Sequence, residues 1–315
     1  MIVKSRSPLR ISFAGGGTDV EPYCSNNSGC VVSCTIARYV WVKMDSEQVG
    51  YEAYPSDATN RNTKFIDLLS GHFKPVLLEV RVDAPHRSGL GASGSLGVAT
   101  IGCLNTLNTD NPMDLYQIAE LAYSVEHDEL GFAGGRQDQY ASCFGGFNYI
   151  RFEGNKVSVS RLDIKPETLL SLEKSMFLVF THPRSAGNVM EEEVSRVNAN
   201  EDETLRALGE QRELANQVRK SLITDNLPLF GELMDSAWQI KKRQSPLVTN
   251  GLIDELYDRV KKAGALGGKL VGAGGGGYFV VFAPGVETKV CDAISSLNLR
   301  PETIILDWMG LKVWK

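Results

Sequence analysis

The chain has 315 residues, 43% of them apolar and 23% charged, which excludes a disordered chain and favours two lobes sharing a cleft over a single small domain. The net charge is −5, with no basic stripe and no block of like charges, so nucleic acid and anionic membranes are poor partners and a small molecule is the expected one. Six cysteines (Cys24, Cys30, Cys34, Cys103, Cys143, Cys291) form no CxxC pair or Cys/His cluster, "MIVKSRSPLR" has no apolar signal core, and no apolar run approaches about 20 residues. Reduced, buried thiols in a cytoplasmic protein are therefore expected, as a monomer or homodimer.

In chain order, "VVSCTIARYVWVKM" (31–44) and "VLLEVRVDAP" (76–85) read as strands. A helix over about 91–107 puts Leu96, Ala99, Cys103, Leu104 and Leu107 on one stripe. A second, over 112–130, has Asp110 or Asn111 as its cap, Pro112 in its first turn and Gly131 at its end. "GGFNYIRFEGNKVSVSRLDI" reads as a hairpin turning at "EGNK". A modest composition shift near 160–175 divides the chain into an expected N-terminal lobe, 1–165, and C-terminal lobe, 166–315. The second part runs from the strand "SMFLVFTH" through helical patterns at 188–221 and 227–243, with Leu205, Leu208, Leu214, Val218, Phe230, Leu233 and Trp238 as inner positions. A helix over 251–263, the stretch "GALGGKLVGAGGGGYFVVFAP", a last helix and the strands "TIILDW" and "LKVWK" complete it.

Three glycine-rich stretches carry the chemistry. In "HRSGLGASGSLG" (86–97) a strand feeds a glycine loop that opens a helix, so unpaired amides and the positive helix end converge on an anion site, most often for phosphate. Ser93 and Ser95 either cap this helix or offer a hydroxyl to a phosphate-bound Mg²⁺. "GLGASG" also matches the dinucleotide fingerprint GxGxxG, with Asp110 downstream. However, "APHRS" separates the strand from the first glycine, Asp110 falls in a turn, and the second match, "GAGGGG" (272–277), runs into a strand. No GxxxxGK[ST] loop is present, which excludes the common nucleoside-triphosphatase motif. In "RISFAGGGTDV" (10–20) the three glycines suit a turn, but Arg10 inside an apolar run and Asp19 just past the turn are charges that need a partner or a task.

On the helix over 112–130 the stripe Leu115, Ile118, Ala119, Ala122 continues by four to Glu126, a carboxylate on the inner face. It either pairs with an arginine or, with Ser93, contributes to a Mg²⁺ shell completed by substrate phosphate. In "GGRQDQYASCFGG", paired glycines bracket Arg136, Gln137, Asp138 and Gln139, a pattern that suits a positioned polar site. Asp138 is placed to orient an acceptor hydroxyl or take its proton, a role worth about 10²–10⁴-fold.

Together "PLRISFAGGGTD", "PHRSGLGASGSLGVA", "GGRQDQY" and "KLVGAGGGGYFVVF", in this order, resemble the GHMP small-molecule kinase superfamily of galactokinase, homoserine kinase, mevalonate kinase and phosphomevalonate kinase. Within it, "SPLRISFAGGGTDVEPYC", "YSVEHDELGFAGGRQDQYASCFGGFNYI" and "SAWQIKKRQS" are most similar to the D-glycero-D-manno-heptose 7-phosphate kinases. The resemblance implies an α+β, two-lobed fold, with a ribosomal protein S5 domain 2-like N-terminal lobe and a ferredoxin-like C-terminal lobe around a cleft for ATP and sugar. It also implies γ-phosphoryl transfer to the anomeric hydroxyl of the heptose 7-phosphate, giving the 1,7-bisphosphate for nucleotide-heptose synthesis.

Carried over by position, Gly89, Leu90 and Gly91 wrap the triphosphate, and Ala92, Ser93, Gly94 and Ser95 continue the ATP loop. Ser93 and Glu126 correspond to the Mg²⁺ ligands, Asp138 to the acid facing the acceptor hydroxyl, and Arg10 to a basic residue near the transferred phosphoryl. Asp19 corresponds to a sugar-hydroxyl ligand, with Gly16, Gly17, Thr18 and Gln137 beside it. Gly274 and Gly275, in the third motif, bring backbone close to the acceptor. The family commonly has adjacent serines after "GLG"; here Ala92 and Gly94 flank Ser93, so the role of the first serine either disappears or passes to Ser95. The acceptor's own phosphate needs a cation: Arg184 is the first candidate, and Lys241, Lys242 and Arg243 are the others unless they face solvent. The alternatives are another acceptor (galactose, fucose or an isoprenoid alcohol), a nucleotide-binding homologue without catalysis, or a dinucleotide oxidoreductase. Arg10, Glu126 and Asp138 together speak against a non-catalytic homologue.

Overall fold

A computed structural model of the chain describes residues 1–54, 60–73, 76–184 and 188–315. The first half runs β1 (Ile2–Ala14), α1 (Tyr23–Asn27), β2 (Gly29–Asp45), β3 (Gly50–Tyr54), α2 (Asn60–Gly71), β4 (Leu77–Val82), α3 (Ala92–Asn105), α4 (Leu115–Ser124), a π-helical turn (Val125–Glu129), α5 (Gln137–Phe144), β5 (Phe147–Glu153) and β6 (Lys156–Arg161). The second continues with α6 (Pro166–Ser175), β7 (Met176–Phe180), α7 (Asn188–Asn198), α8 (Asp202–Ile223), α9 (Leu227–Gln244), α10 (Gly251–Lys262), β8 (Gly267–Leu270), β9 (Tyr278–Phe282), α11 (Glu287–Ser295), β10 (Pro301–Thr303) and β11 (Lys312–Trp314).

The long strand β2 organises the first sheet. β1 pairs antiparallel along most of its length, while β5 takes its first part on the other edge and β4 its last part. Period-two alternation sends the odd positions of β1 inward: Val3, Ser5, Ser7, Leu9, Ile11 and Phe13 are all buried. Ile2 and Lys4, at even positions, are exposed. Arg10 and Ser12 share their parity yet are buried, because here the even face forms the floor of a cleft. Phe13 stacks on Phe147 of β5 and meets Phe230 of α9 edge-on, so the cores of the two halves join directly beneath that floor.

In the second sheet the order β10-β7-β9-β8 is antiparallel throughout. With helices between β7 and β8 and between β9 and β10, this is the βαββαβ pattern of a ferredoxin-like unit. Two mixed layers of helix and sheet give the α+β class expected. Among the described residues no helix is long and apolar enough to cross a membrane, and the six cysteines are unpaired.

Several details differ from the sequence reading. Asp114, rather than Asp110 or Asn111, caps α4: its side chain accepts from the Gln117 amide while the Gln117 side chain accepts from the Asp114 amide. The helix expected over 112–130 stops at Ser124 and widens into the π turn, and Leu115, expected on the inner stripe, is exposed. Of "TIILDW" only Thr303 is in a strand; the following residues cross to the first sheet, where Ala37 and Asp307 donate backbone hydrogen bonds to Ile305 and Thr35. The last strand, β11, pairs with β1 and so belongs to the first sheet, not to the second-half elements that precede it in the chain. Bare Gly102 on α3 leaves room beside this strand, since a Cβ there would lie 2.9 Å from the Leu311 side chain.

Candidate functional site

A cleft of about 260 Å³ opens between the halves, and the first turn of α3 forms one wall. Gly91 caps α3 in the left-handed conformation and, having no side chain, makes no cap bond to the first-turn amides. They are left for an anion. Gly89 is also left-handed, and a Cβ on it would lie 2.5 Å from the Val271 carbonyl oxygen. The glycine loop therefore lies flat against the third glycine string, where the Tyr278 amide donates to the Ser88 carbonyl. Gly89, Gly91, Ala92 and Ser93 line the cleft. Leu90 and Ser95 are buried away from it, and the Ser95 hydroxyl donates to the Pro8 carbonyl and meets the Ser142 hydroxyl at 2.7 Å. Ser95 is thus committed to the core and cannot stand in for the serine that the family commonly has at position 92.

Ser93 does not cap its helix. Its hydroxyl donates to Glu126 Oε1 at 2.5 Å, and Gln139 Nε2 donates to Glu126 Oε2 at 2.9 Å. The π turn reaims the carboxylate from the helix interior toward the start of α3; such insertions recur at functional sites. A hydroxyl and a carboxylate oxygen, beside amides suited to phosphate, fit a hard divalent cation. No group of three His, Cys, Asp or Glu side chains able to hold a metal occurs among the described residues, so such a cation would need ligands from the nucleotide and water.

Arg10 explains itself structurally. Its Nε and Nη2 both reach Asp138 Oδ1, at 2.7 and 2.6 Å, and Nη1 donates to the Gly89 carbonyl at 2.6 Å. One buried guanidinium thus joins β1, the glycine loop and the first turn of α5. Asp138 is pressed against the α3 cap: a Cβ on Gly91 would meet its carboxylate at 3.1 Å, and one on Gly94 would lie 2.7 Å from its Cβ. Gly94→Ala is expected to lower stability by about 1–3 kcal/mol through overpacking. By displacing Asp138 it should also lower turnover by about 10–100-fold. Gly209→Ala on α8, with nothing within 4 Å, should instead be neutral or stabilising by about 0.5–1 kcal/mol; melting and steady-state rates on the two variants check the contrast.

Just past the C-terminal end of β1 the Gly15–Gly17 turn enters the site. Gly16 and Gly17 line the cleft, whereas Thr18 does not: its buried hydroxyl donates toward the Gly15 and Cys30 carbonyls and accepts from the Cys30 amide. Thr18 braces the turn rather than meeting a ligand. Asp19 is fully buried and accepts from the Gln137 amide at 3.1 Å and from Gln137 Nε2 at 2.9 Å. Burial pushes its carboxyl above the usual range, against the effect of the Gln137 amide. Arg136 is turned out of the cleft, paired with Glu21 and Glu120 and lying over the Tyr123 ring.

The sequence reading missed Glu193 on α7. It lines the cleft, is 2% exposed, and neither carboxylate oxygen has a hydrogen-bond partner among the described residues. Burial pushes its carboxyl up to about 7, with Lys241 opposing. Lys241 of α9 is equally buried and lines the cleft; burial pushes its ammonium down, while Glu193 and Asp19 hold it up. Behind them Lys269 donates to the Ser12 and Leu270 carbonyls, and burial drives its ammonium well below the ordinary value.

Of the candidate cations for an acceptor phosphate, the structure brings Arg184 and Lys241 to the cleft, together with Arg87, which no sequence signal singles out. Lys242 lies over the Trp238 and Tyr257 rings, and Arg243 pairs with Glu203 and Glu210. Gly274 and Gly275 do not line the cleft; they pack on Val248 and Leu247, and the Gly275 amide donates to the Val248 carbonyl. From that string, Gly272 and Ala273 reach the cleft wall.

The model for the N-terminal domain of GHMP kinases matches residues 60–146, and that for the GHMP kinase C-terminal region matches 218–297. A D-glycero-alpha-D-manno-heptose 7-phosphate kinase of Campylobacter jejuni is 30% identical, over 99% of both chains. Among solved structures, a D-glycero-D-manno-heptose 1-phosphate kinase from Bacteroides thetaiotaomicron superposes with a TM-score of 0.78 at 26% identity, over 99% of both chains. Lactococcus lactis galactokinase, with galactose bound, gives a TM-score of 0.76 at 19% identity over 100% of this chain and 95% of its own, a likeness of fold alone. With family models on both halves and a full-length relative at this identity, the chain belongs to the GHMP kinase family and is an ATP-dependent kinase.

Proposed function

We propose that the chain transfers the γ-phosphoryl group of ATP to the anomeric hydroxyl of D-glycero-D-manno-heptose 7-phosphate, giving the 1,7-bisphosphate for nucleotide-heptose synthesis. The observation that carries this is the full-length match to a heptose 7-phosphate kinase, joined in the cleft by Arg184 and Lys241 as cations for an acceptor that is itself phosphorylated. In this reading the α3 amides bind the triphosphate, and Asp138, held by Arg10, orients the attacking hydroxyl or accepts its proton. Arg10 stabilises the charge that spreads over the transferring group. Ser93 and Glu126 would hold Mg²⁺, which when bound neutralises phosphate charge.

An acceptor panel tests the reading with ATP and Mg²⁺: the heptose 7-phosphate, the unphosphorylated heptose, galactose, fucose and mevalonate, with products resolved by phosphorus NMR. The expected result is a kcat/KM for the 7-phosphate at least about 100-fold above that for the free sugar, the scale of a charge-assisted hydrogen bond to phosphate. Equal use of the unphosphorylated sugar would overturn it.

A further inference from the structure

The cleft holds polar atoms that the fold leaves unsatisfied, and those of the acceptor end are of one kind. Both oxygens of Glu193 and Oε1 of Gln137 are buried without a hydrogen-bond partner among the described residues. With Glu193 ionised, all three are acceptors. A buried acceptor left unpaired is costly, so a group that supplies donors should occupy the space they face. Phosphate oxygens supply none, whereas a polyhydroxylated carbon chain supplies several.

The surroundings show how these atoms are held. Asp19 accepts from both the backbone amide and Nε2 of Gln137, a residue that lines the cleft. Glu193 leans on the glycine turn: a Cβ on Gly17 would lie 2.3 Å from Glu193 Oε1, so only a bare α-carbon at 17 leaves that carboxylate its position. Lys241 Nζ lies 3.9 Å from where a Cβ of Gly16 would be, so a cation shares this end of the cleft with the carboxylate.

We propose that Glu193 is a specificity-determining residue of the acceptor site: its carboxylate, together with the Gln137 amide oxygen, accepts hydrogen bonds from hydroxyl groups of the sugar. The inference rests on the sugar-phosphate reading of the cleft and deepens it. It adds these two groups to Asp19, which also lines the cleft and whose oxygens each accept one hydrogen bond from Gln137.

The test couples residue to hydroxyl. Initial rates with D-glycero-D-manno-heptose 7-phosphate and its monodeoxy analogues are measured for the wild type, Glu193→Ala and Glu193→Gln. Glu193→Ala is expected to raise the acceptor KM by about 10–100-fold, the fold-change for losing a hydrogen bond to a charged group, with the KM for ATP changed by less than about twofold. At least one deoxy analogue should cost the wild type about tenfold or more but Glu193→Ala less than about twofold, because the partner is already gone. Glu193→Gln, which keeps one acceptor oxygen, should fall between them, and it decides the matter by the same coupling if the alanine variant does not fold. Equal penalties for every analogue in wild type and variants would overturn the assignment of Glu193 and leave the sugar-kinase reading standing. A wild type that phosphorylates none of these sugars would overturn both.

Discussion

Asp138→Asn should lower kcat by about 10²–10⁴-fold while leaving nucleotide affinity nearly intact. Asparagine keeps an oxygen where Arg10 Nε and Nη2 now meet Oδ1, so the guanidinium should stay in place and the fold should hardly weaken. What disappears is the negative charge needed to draw a proton from the acceptor hydroxyl. Because Asp138 abuts the cap of α3, removing that charge also removes a repulsion toward bound phosphates, and nucleotide binding should be unchanged or slightly tighter. Single-turnover rates give the chemical step, and the melting shift with an ATP analogue gives the affinity. A kcat within about tenfold of wild type would remove Asp138 from the chemistry.

What could be read from the sequence was whatever local backbone geometry enforces. Gly89 and Gly91 are left-handed, and Gly272 and Gly277 abut the 88–89 backbone, where a Cβ would come within 2.7 Å of a carbonyl oxygen. Such positions admit little but glycine, which is why these strings were visible. Arg10 and Glu126 were legible for a different reason: each is a charge inside an apolar run or stripe, whereas Asp138 stood out in a polar run bracketed by paired glycines, and the structure brings all three to the cleft. The helix cap at Asp114 was hidden because Asp110, Asn111 and Asp114 are all competent caps, and the choice among them depends on the reciprocal bond that Gln117 provides.

Long-range placement was not legible. Nothing local in "LKVWK" says that it pairs with β1, beside Gly102 of a helix far earlier in the chain, which leaves room for the Leu311 and Val313 side chains. Glu193 sits among three consecutive glutamates: Glu191 is exposed and Glu192 is engaged by Arg196, so composition alone marks none of them. A signal was nevertheless present. Val189 and Val197 are buried, and Glu193 lies midway between them on the same i, i+4, i+8 row, the pattern that singles out Glu126. Lys241 likewise continues the buried row Phe230, Met234, Ala237, Trp238 of α9, which is why it faces the cleft while Lys242 and Arg243 do not.

Arg10→Met should lower kcat on a scale that overlaps the loss of Asp138, and the two should not add. The guanidinium has three tasks in one side chain: it places positive charge beside the amides of α3, fixes the Asp138 carboxylate, and ties down the Gly89 carbonyl. Loss of a preorganised donor of this kind lowers kcat by about 10²–10³-fold, and the unpaired buried groups left behind should cost about 1–3 kcal/mol of stability. Arg10→Lys keeps the charge, but a single ammonium on a flexible stem cannot span a carboxylate and a carbonyl from one rigid plane, so most of the rate should remain lost. In the double variant Arg10→Met/Asp138→Asn, kcat should fall by little more than in the worse single variant, because groups acting as a unit fail together. Multiplicative losses in that cycle would mean that the arginine acts on the phosphoryl group alone and that its bond to Asp138 is incidental to turnover.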